Sequence, residues 1–113
     1  ELARLELAAD QPPAALELLR RMEASLAGDA DAWALRGNAA QRLSLHPEAA
    51  SAYLAAVRLR PDEGKWMLGA AISLAADGRL DEARPWVERA RERGAVTASI
   101  AAYLQQLGLG ARQ

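Results

Sequence analysis

The chain has no cysteine and no phenylalanine, a single histidine, and only 4% aromatic residues. Without cysteine there is no disulfide and no thiolate metal site, and the redox compartment stays open. One histidine, His46, cannot supply the three or four ligands that a metal needs. Charge of one sign is also missing. Fourteen basic residues stand against 15 acidic ones, for a net charge of −1, so the basic excess of a nucleic-acid binder is absent. No apolar run approaches the roughly 18 residues of a membrane span, and no basic-then-apolar leader is present. Direct membrane insertion by this segment is therefore not expected. β-Branched residues are scarce as well, while alanine, leucine, arginine and glutamate dominate. That composition predicts helix throughout and no strands, since straight-chain residues and alanine lose little rotamer freedom in a helix.

Catalytic chemistry finds little support. His46 falls in a predicted turn and reads as a solvated residue. Ser44, two positions away, lacks the strand–turn–helix elbow of a nucleophile. The acidic pairs Asp29/Asp31, Asp62/Glu63 and Asp81/Glu82 sit at predicted helix starts, where negative charge meets the positive end of the helix dipole. They lack the alternating ligand spacing of a calcium loop, and no phosphate-cradling glycine motif occurs. We expect no enzyme activity and no cofactor.

What is present is a period. Ala30 to Pro61 carries Trp33, Gly37, Ala49, Tyr53, Ala56 and Pro61 at intervals that fit two antiparallel helices and a tight turn. Moving 34 residues downstream maps Trp33 to Met67, Gly37 to Ala71, Ala49 to Ala83, Tyr53 to Val87 and Ala56 to Ala90. Moving back maps Gly37 to Ala3, Ala49 to Ala15 and Tyr53 to Leu19. Small residues recur because helices must approach closely there, with Gly37 expected to face Ala49 and Ala71 to face Ala83.

The spacing predicts one domain over residues 1–110. It comprises a partial repeat over 1–29, repeats over 30–63 and 64–97, a capping helix over 98–110, and a frayed tail at 111–113. The predicted helices are the end of one over Glu1–Ala9, then Pro13 to about Leu26, Ala30–Leu43, Pro47–Leu59, Glu63–Ala76, Asp81–Arg93 and Thr97–Leu107. Asp81 is the expected N-cap of its helix. Pro85 should distort that helix slightly, and the charged run from Arg84 to Arg93 reads as its solvated face. Trp33 is expected in the core. Trp66 and Trp86 stand one residue off the large apolar sites, so each is either packed between units or offered to a partner.

The residues of the central stretch resemble the tetratricopeptide repeat, departing from its pattern only at Arg36 and Ala40. The resemblance implies an all-α, right-handed superhelical stack of about seven antiparallel helices, and a scaffold that binds a peptide or helix of a partner protein. It places a concave groove on the first helices. Arg4, Leu7 and Ala8 would come from the first unit. Asp31, Ala34, Asn38, Gln41 and Arg42 would come from the second, and Lys65, Leu68, Ile72, Ala75 and Ala76 from the third. Leu68 and Ile72 would supply apolar burial, with the polar groups setting orientation.

Two narrower resemblances point further. Asn38 and Lys65 match two sites at which co-chaperone repeats clamp a C-terminal carboxylate. Arg4, Gly69 and the position before Glu1 do not match the other three. Residues 60–109, with RPDEGKWMLGAAISLAADGRLDEAR and AAYLQQLGL, resemble the C-terminal repeat domain of MshN-type pilus biogenesis proteins. That likeness implies scaffolding of a bacterial pilus or secretion apparatus on the periplasmic side of the envelope; without it the cytoplasm is expected. The chain opens on Glu1 rather than methionine, so we expect a piece of a longer protein, with any anchor lying upstream. Self-association of such a piece is the rival expectation to partner binding.

Overall fold

A computed structural model describes residues 10–110. Six helices and no strands occur among them: α1 (Pro12–Arg21), α2 (Ala30–Arg42), α3 (His46–Leu59), α4 (Gly64–Ala76), α5 (Leu80–Glu92) and α6 (Ala98–Gln106). The further helix expected over residues 1–9 and the tail at 111–113 lie outside the described residues. Helices α1 to α5 pack each against the next along an elongated body of 47 × 25 × 22 Å, a helical solenoid, and α6 joins it through Leu104.

The helix ends have local causes. α2 is capped by Asp29, whose carboxylate accepts from the Ala32 N–H at 3.1 Å, and α6 by Thr97, whose hydroxyl accepts from the Ile100 N–H at 3.3 Å. Asp81 does not cap α5. Arg79 holds that position without a side-chain bond, and Asp81 sits inside the first turn, where it still meets the helix dipole. α2, α4, α5 and α6 stop in one way. The residue at Ser44, Gly78, Gly94 or Gly108 turns left-handed, with φ of 60°, 80°, 72° and 87°. The next N–H then reaches back to a carbonyl five residues earlier: Leu45 to Ala40 at 2.9 Å, Arg79 to Leu74 at 2.8 Å, Ala95 to Ala90 at 3.0 Å and Leu109 to Leu104 at 2.8 Å. α3 instead ends ahead of Pro61, which cannot continue a helix.

α1 is shorter than the sequence predicts and gives way at Met22 to irregular turns as far as Gly28. Glu23, Ala24 and Ser25 are all exposed, so no packing holds a further regular turn there. Pro85 leaves α5 continuous from Leu80 to Glu92.

The main apolar cluster joins Ala50 and Val57 of α3, Met67, Leu68, Ala71 and Leu74 of α4, Ala83, Val87 and Ala90 of α5, and Leu104 and Leu109. Ala71 and Ala83, both fully buried, share it as expected. The partner of Gly37 differs from the expectation. A Cβ on Gly37 would stand 2.8 Å from the Tyr53 ring, so the side chain held against this glycine is Tyr53. Ala49 joins a second cluster with Ala15, Leu16, Ala39 and Ala40. A Cβ on Gly69 of α4 would stand 2.7 Å from the other part of the same ring. Tyr53 is thus clasped between α2 of its own hairpin and α4 of the next.

Candidate functional site

α2 and α4, the first helices of successive hairpins, adjoin in the stack, and their outward residues form the row predicted to line a groove. Asp31, Asn38 and Arg42 of α2 are exposed, as are Lys65 and Ala76 of α4, while Ile72 is half-buried. Arg4, Leu7 and Ala8 lie outside the described residues.

Three predicted groove residues turn inward, Ala34, Leu68 and Gln41, and Ala34 is buried. Leu68 is only 7% exposed and belongs to the main cluster, because its side chain is drawn down among Met67, Ala71 and Leu74. The apolar surface left on α4 is therefore mainly Ile72, and Leu68 serves the core. Gln41 spends its amide between the helices, donating to the Gly69 carbonyl at 3.2 Å and to Ser73 Oγ at 2.9 Å. Ser73 is fully buried, and this bond meets the need of a hydroxyl removed from water. Asn38 hydrogen-bonds the Tyr53 hydroxyl, and burial of the ring pushes that phenol's pKa up.

The charges at the rim are partly engaged. Arg60 donates to Asp31 at 3.0 Å, reaching from the end of α3. Lys65 has no ion pair or hydrogen bond among the described residues. The two residues that match the carboxylate-clamp pattern, Asn38 and Lys65, are both exposed. At Gly69 the Tyr53 ring occupies the space that a clamping side chain would need.

Sequence reasoning missed a carboxylate hub at the other seam. Glu48 of α3 accepts from Arg20 Nε of α1 at 3.0 Å and from Arg36 Nε of α2 at 3.1 Å, and Arg36 also pairs with Glu23. The Arg20 bond holds the Glu48 carboxyl below its usual range against the opposing effect of burial. This stabilises the fold above the unfolded carboxyl pKa and is lost as pH falls through the lowered value. Nothing in the local sequence marks Glu48, because its partners stand 28 and 12 residues away.

The tryptophans settle differently from one another. Trp33 is not in any of the apolar clusters. It is half-buried, its indole N–H donating to the Ala27 carbonyl at 2.9 Å and Arg36 lying 5.4 Å from the ring centroid. Its place in the core is taken by smaller residues, Ala32 and Ala34. Trp66 and Trp86 rest half-buried against the main cluster, each under an arginine, Arg60 at 4.9 Å and Arg89 at 4.6 Å. Met67 and Val87, one residue on, are the buried ones, at 2% exposure each.

His46 is the first residue of α3, and its Nδ1 is buried without a partner among the described residues. Those residues hold no group of three histidines or carboxylates able to bind a metal, and no helix among them is long and apolar enough to cross a membrane. The family model for the tetratricopeptide repeat matches residues 1–64 and again residues 35–98, two placements offset by 34 residues. No characterised protein matches the chain.

Proposed function

Because the chain belongs to the tetratricopeptide-repeat family, a protein-interaction fold without catalytic machinery, we propose that it binds an extended or helical segment of a partner protein across α2 and α4. One observation carries this reading. Asp31, Asn38 and Arg42 on α2, with Lys65 and Ile72 on α4, form a row of side chains left outward on two adjoining helices. Beneath them Gln41, Tyr53 and Ser73 tie those helices together. A row mounted on a tied pair meets a ligand with little ordering cost. Ile72 supplies the apolar anchor, and Lys65 supplies a positive charge that no described residue pairs and that favours an acidic group in the guest.

Peptides selected from a displayed random library on the immobilised chain provide the test. Ile72→Asp and Lys65→Glu should each weaken the selected peptides about tenfold or more, with unchanged circular dichroism. Peptides that bind both variants as well as the parent chain would refute the assignment to this face. Leu68→Asp is unsuitable, since Leu68 is core.

On the resemblance of residues 60–109 alone, the reading extends to scaffolding of a pilus or secretion apparatus on the periplasmic side of a bacterial envelope. Fractionation of cells that carry the full-length protein decides it, and recovery in the cytoplasm overturns this extension without touching the groove.

A further inference from the structure

The outward face of α5 borders a cleft of about 780 Å³ that the partner-binding row does not use. Its walls are Asp81, Arg84, Pro85, Glu88 and Arg91, with Val87 and Leu109 deeper in. The four charged residues follow a 3–4–3 spacing, which puts them in one stripe along the helix.

The repeat offset shows what is unusual here. Arg84, Glu88 and Arg91 stand 34 residues after Ala50, Leu54 and Val57. In α3, Ala50 and Val57 belong to the cluster that includes Met67 and Leu74 of the following helix, and Leu54 is half-buried. The preceding unit is apolar where it receives its neighbour; α5 is charged at the same places. The unit that follows here, α6 and the residues after it, joins α5 through Leu104 and Leu109 beside Val87. It leaves Asp81, Glu88 and Arg91 exposed and Arg84 half-buried. Further apolar surface laid over these ions would carry a heavy desolvation cost. Whatever covers the stripe must carry charge in the reverse order.

A second copy of the chain does so. The signs along the stripe run negative at Asp81, positive at Arg84, negative at Glu88 and positive at Arg91. Asp81 and Arg91 stand five residues either side of position 86, and Arg84 and Glu88 stand two either side of it. A two-fold axis there, with the helices antiparallel, sets each acid opposite a base of the partner copy. We propose that this chain self-associates through α5 against α5 in that arrangement, with Asp81 facing the partner's Arg91 and Arg84 facing the partner's Glu88. The existing contacts inside the helix, Arg84 to Asp81 at 4.0 Å and Arg91 to Glu88 at 3.8 Å, are long and leave these groups able to turn outward. Such an interface is isologous, so it closes at a dimer. With one helix face per copy and little exposed hydrocarbon it is small, and the dimer is weak, with a Kd on the order of 100 μM.

Sedimentation equilibrium across a concentration series, at low and high salt, is the test. The dimer should form at low salt and loosen at high salt, because exposed pairs are screened. Arg84→Glu should weaken it about tenfold or more by setting like charges together twice per dimer, and Glu88→Arg should do the same. The double variant Arg84→Glu/Glu88→Arg exchanges the signs and should return affinity to within about threefold of the parent. A strict monomer at every concentration overturns the proposal. So does a dimer indifferent to Arg84→Glu, or a double variant that stays monomeric; each of these leaves the cleft to another occupant. The groove reading is independent of the outcome, since all three variants should still hold peptides selected on α2 and α4.

Discussion

Where α3 meets the next hairpin, the contact is interlocked. The Tyr53 ring fills the space between Gly37 and Gly69, Gln41 bridges to Ser73, and Ala50, Val57 and Met67 close the cluster. Where α5 meets α6, the last helix comes no closer by its backbone than a loose approach and rests on the body through Leu104, Leu109 and half-buried Ile100. Tyr103 is left 46% exposed beside them. The same repeat geometry thus yields a rigid seam where both sides offer small or interlocking residues, and a looser one where a short helix contributes only a few apolar side chains. Rigidity sits under the proposed binding row, and the open cleft sits at the end.

The sharpest break of this contrast is Tyr53→Ala. Removing the ring from between two glycines should cost about 3–5 kcal/mol in urea denaturation, as large aromatic truncations in a core do. The same ring decides the sign of a second change. Gly69→Ala should destabilise the parent chain, because the new methyl meets an atom at 2.7 Å on a side chain held from both sides. In the Tyr53→Ala background it should instead stabilise by up to about 1 kcal/mol, the ordinary preference of a helix for alanine over glycine. A Gly69→Ala effect of one sign in both backgrounds would mean that the ring is not clasped.

Native-state hydrogen exchange measures the looser seam directly. Amides of α6 should exchange by local opening about tenfold or more faster than those of α3 and α4, and uniform protection across all six helices would erase the contrast. A smaller effect concerns Ser44, the one left-handed turn residue among the described residues that is not glycine. Ser44 occupies the position that Gly78 holds one repeat later, at φ of 60°. Ser44→Gly should raise stability by about 0.5–1 kcal/mol, the relief of left-handed strain exceeding the extra freedom of glycine in the unfolded chain. A loss on this substitution would show that the serine hydroxyl contributes something the left-handed backbone does not explain.

Much of this was legible in advance. The helices from Ala30 to Gln106 follow from alanine-rich periodic stretches broken by Ser44, Pro61, Gly78 and Gly94, all signals that act within a few residues. The stacking period was legible because small residues recur at fixed intervals. Other assignments failed for one reason. Trp33 was expected in the core and Leu68 in the groove, yet Trp33 lies at the rim and Leu68 inside. A one-step turn about a helix axis is about 100°, and pattern alone does not resolve which side of it faces a neighbour. Pattern places Gln41 in the groove, and its amide is used inside the fold instead.

By itself the sequence determined that the described residues are helical, where the helices after Ala30 stop, and that hairpins recur at a constant interval, because propensity, glycine and proline work over one or two turns. Only the tertiary structure decided that one tyrosine is clasped by two glycines of different hairpins, that Gln41 and Leu68 are withdrawn from the outer row, and that the α5 charges border an open cleft. Those outcomes depend on how helices some 30 residues apart are tilted against one another, and no local pattern encodes that angle.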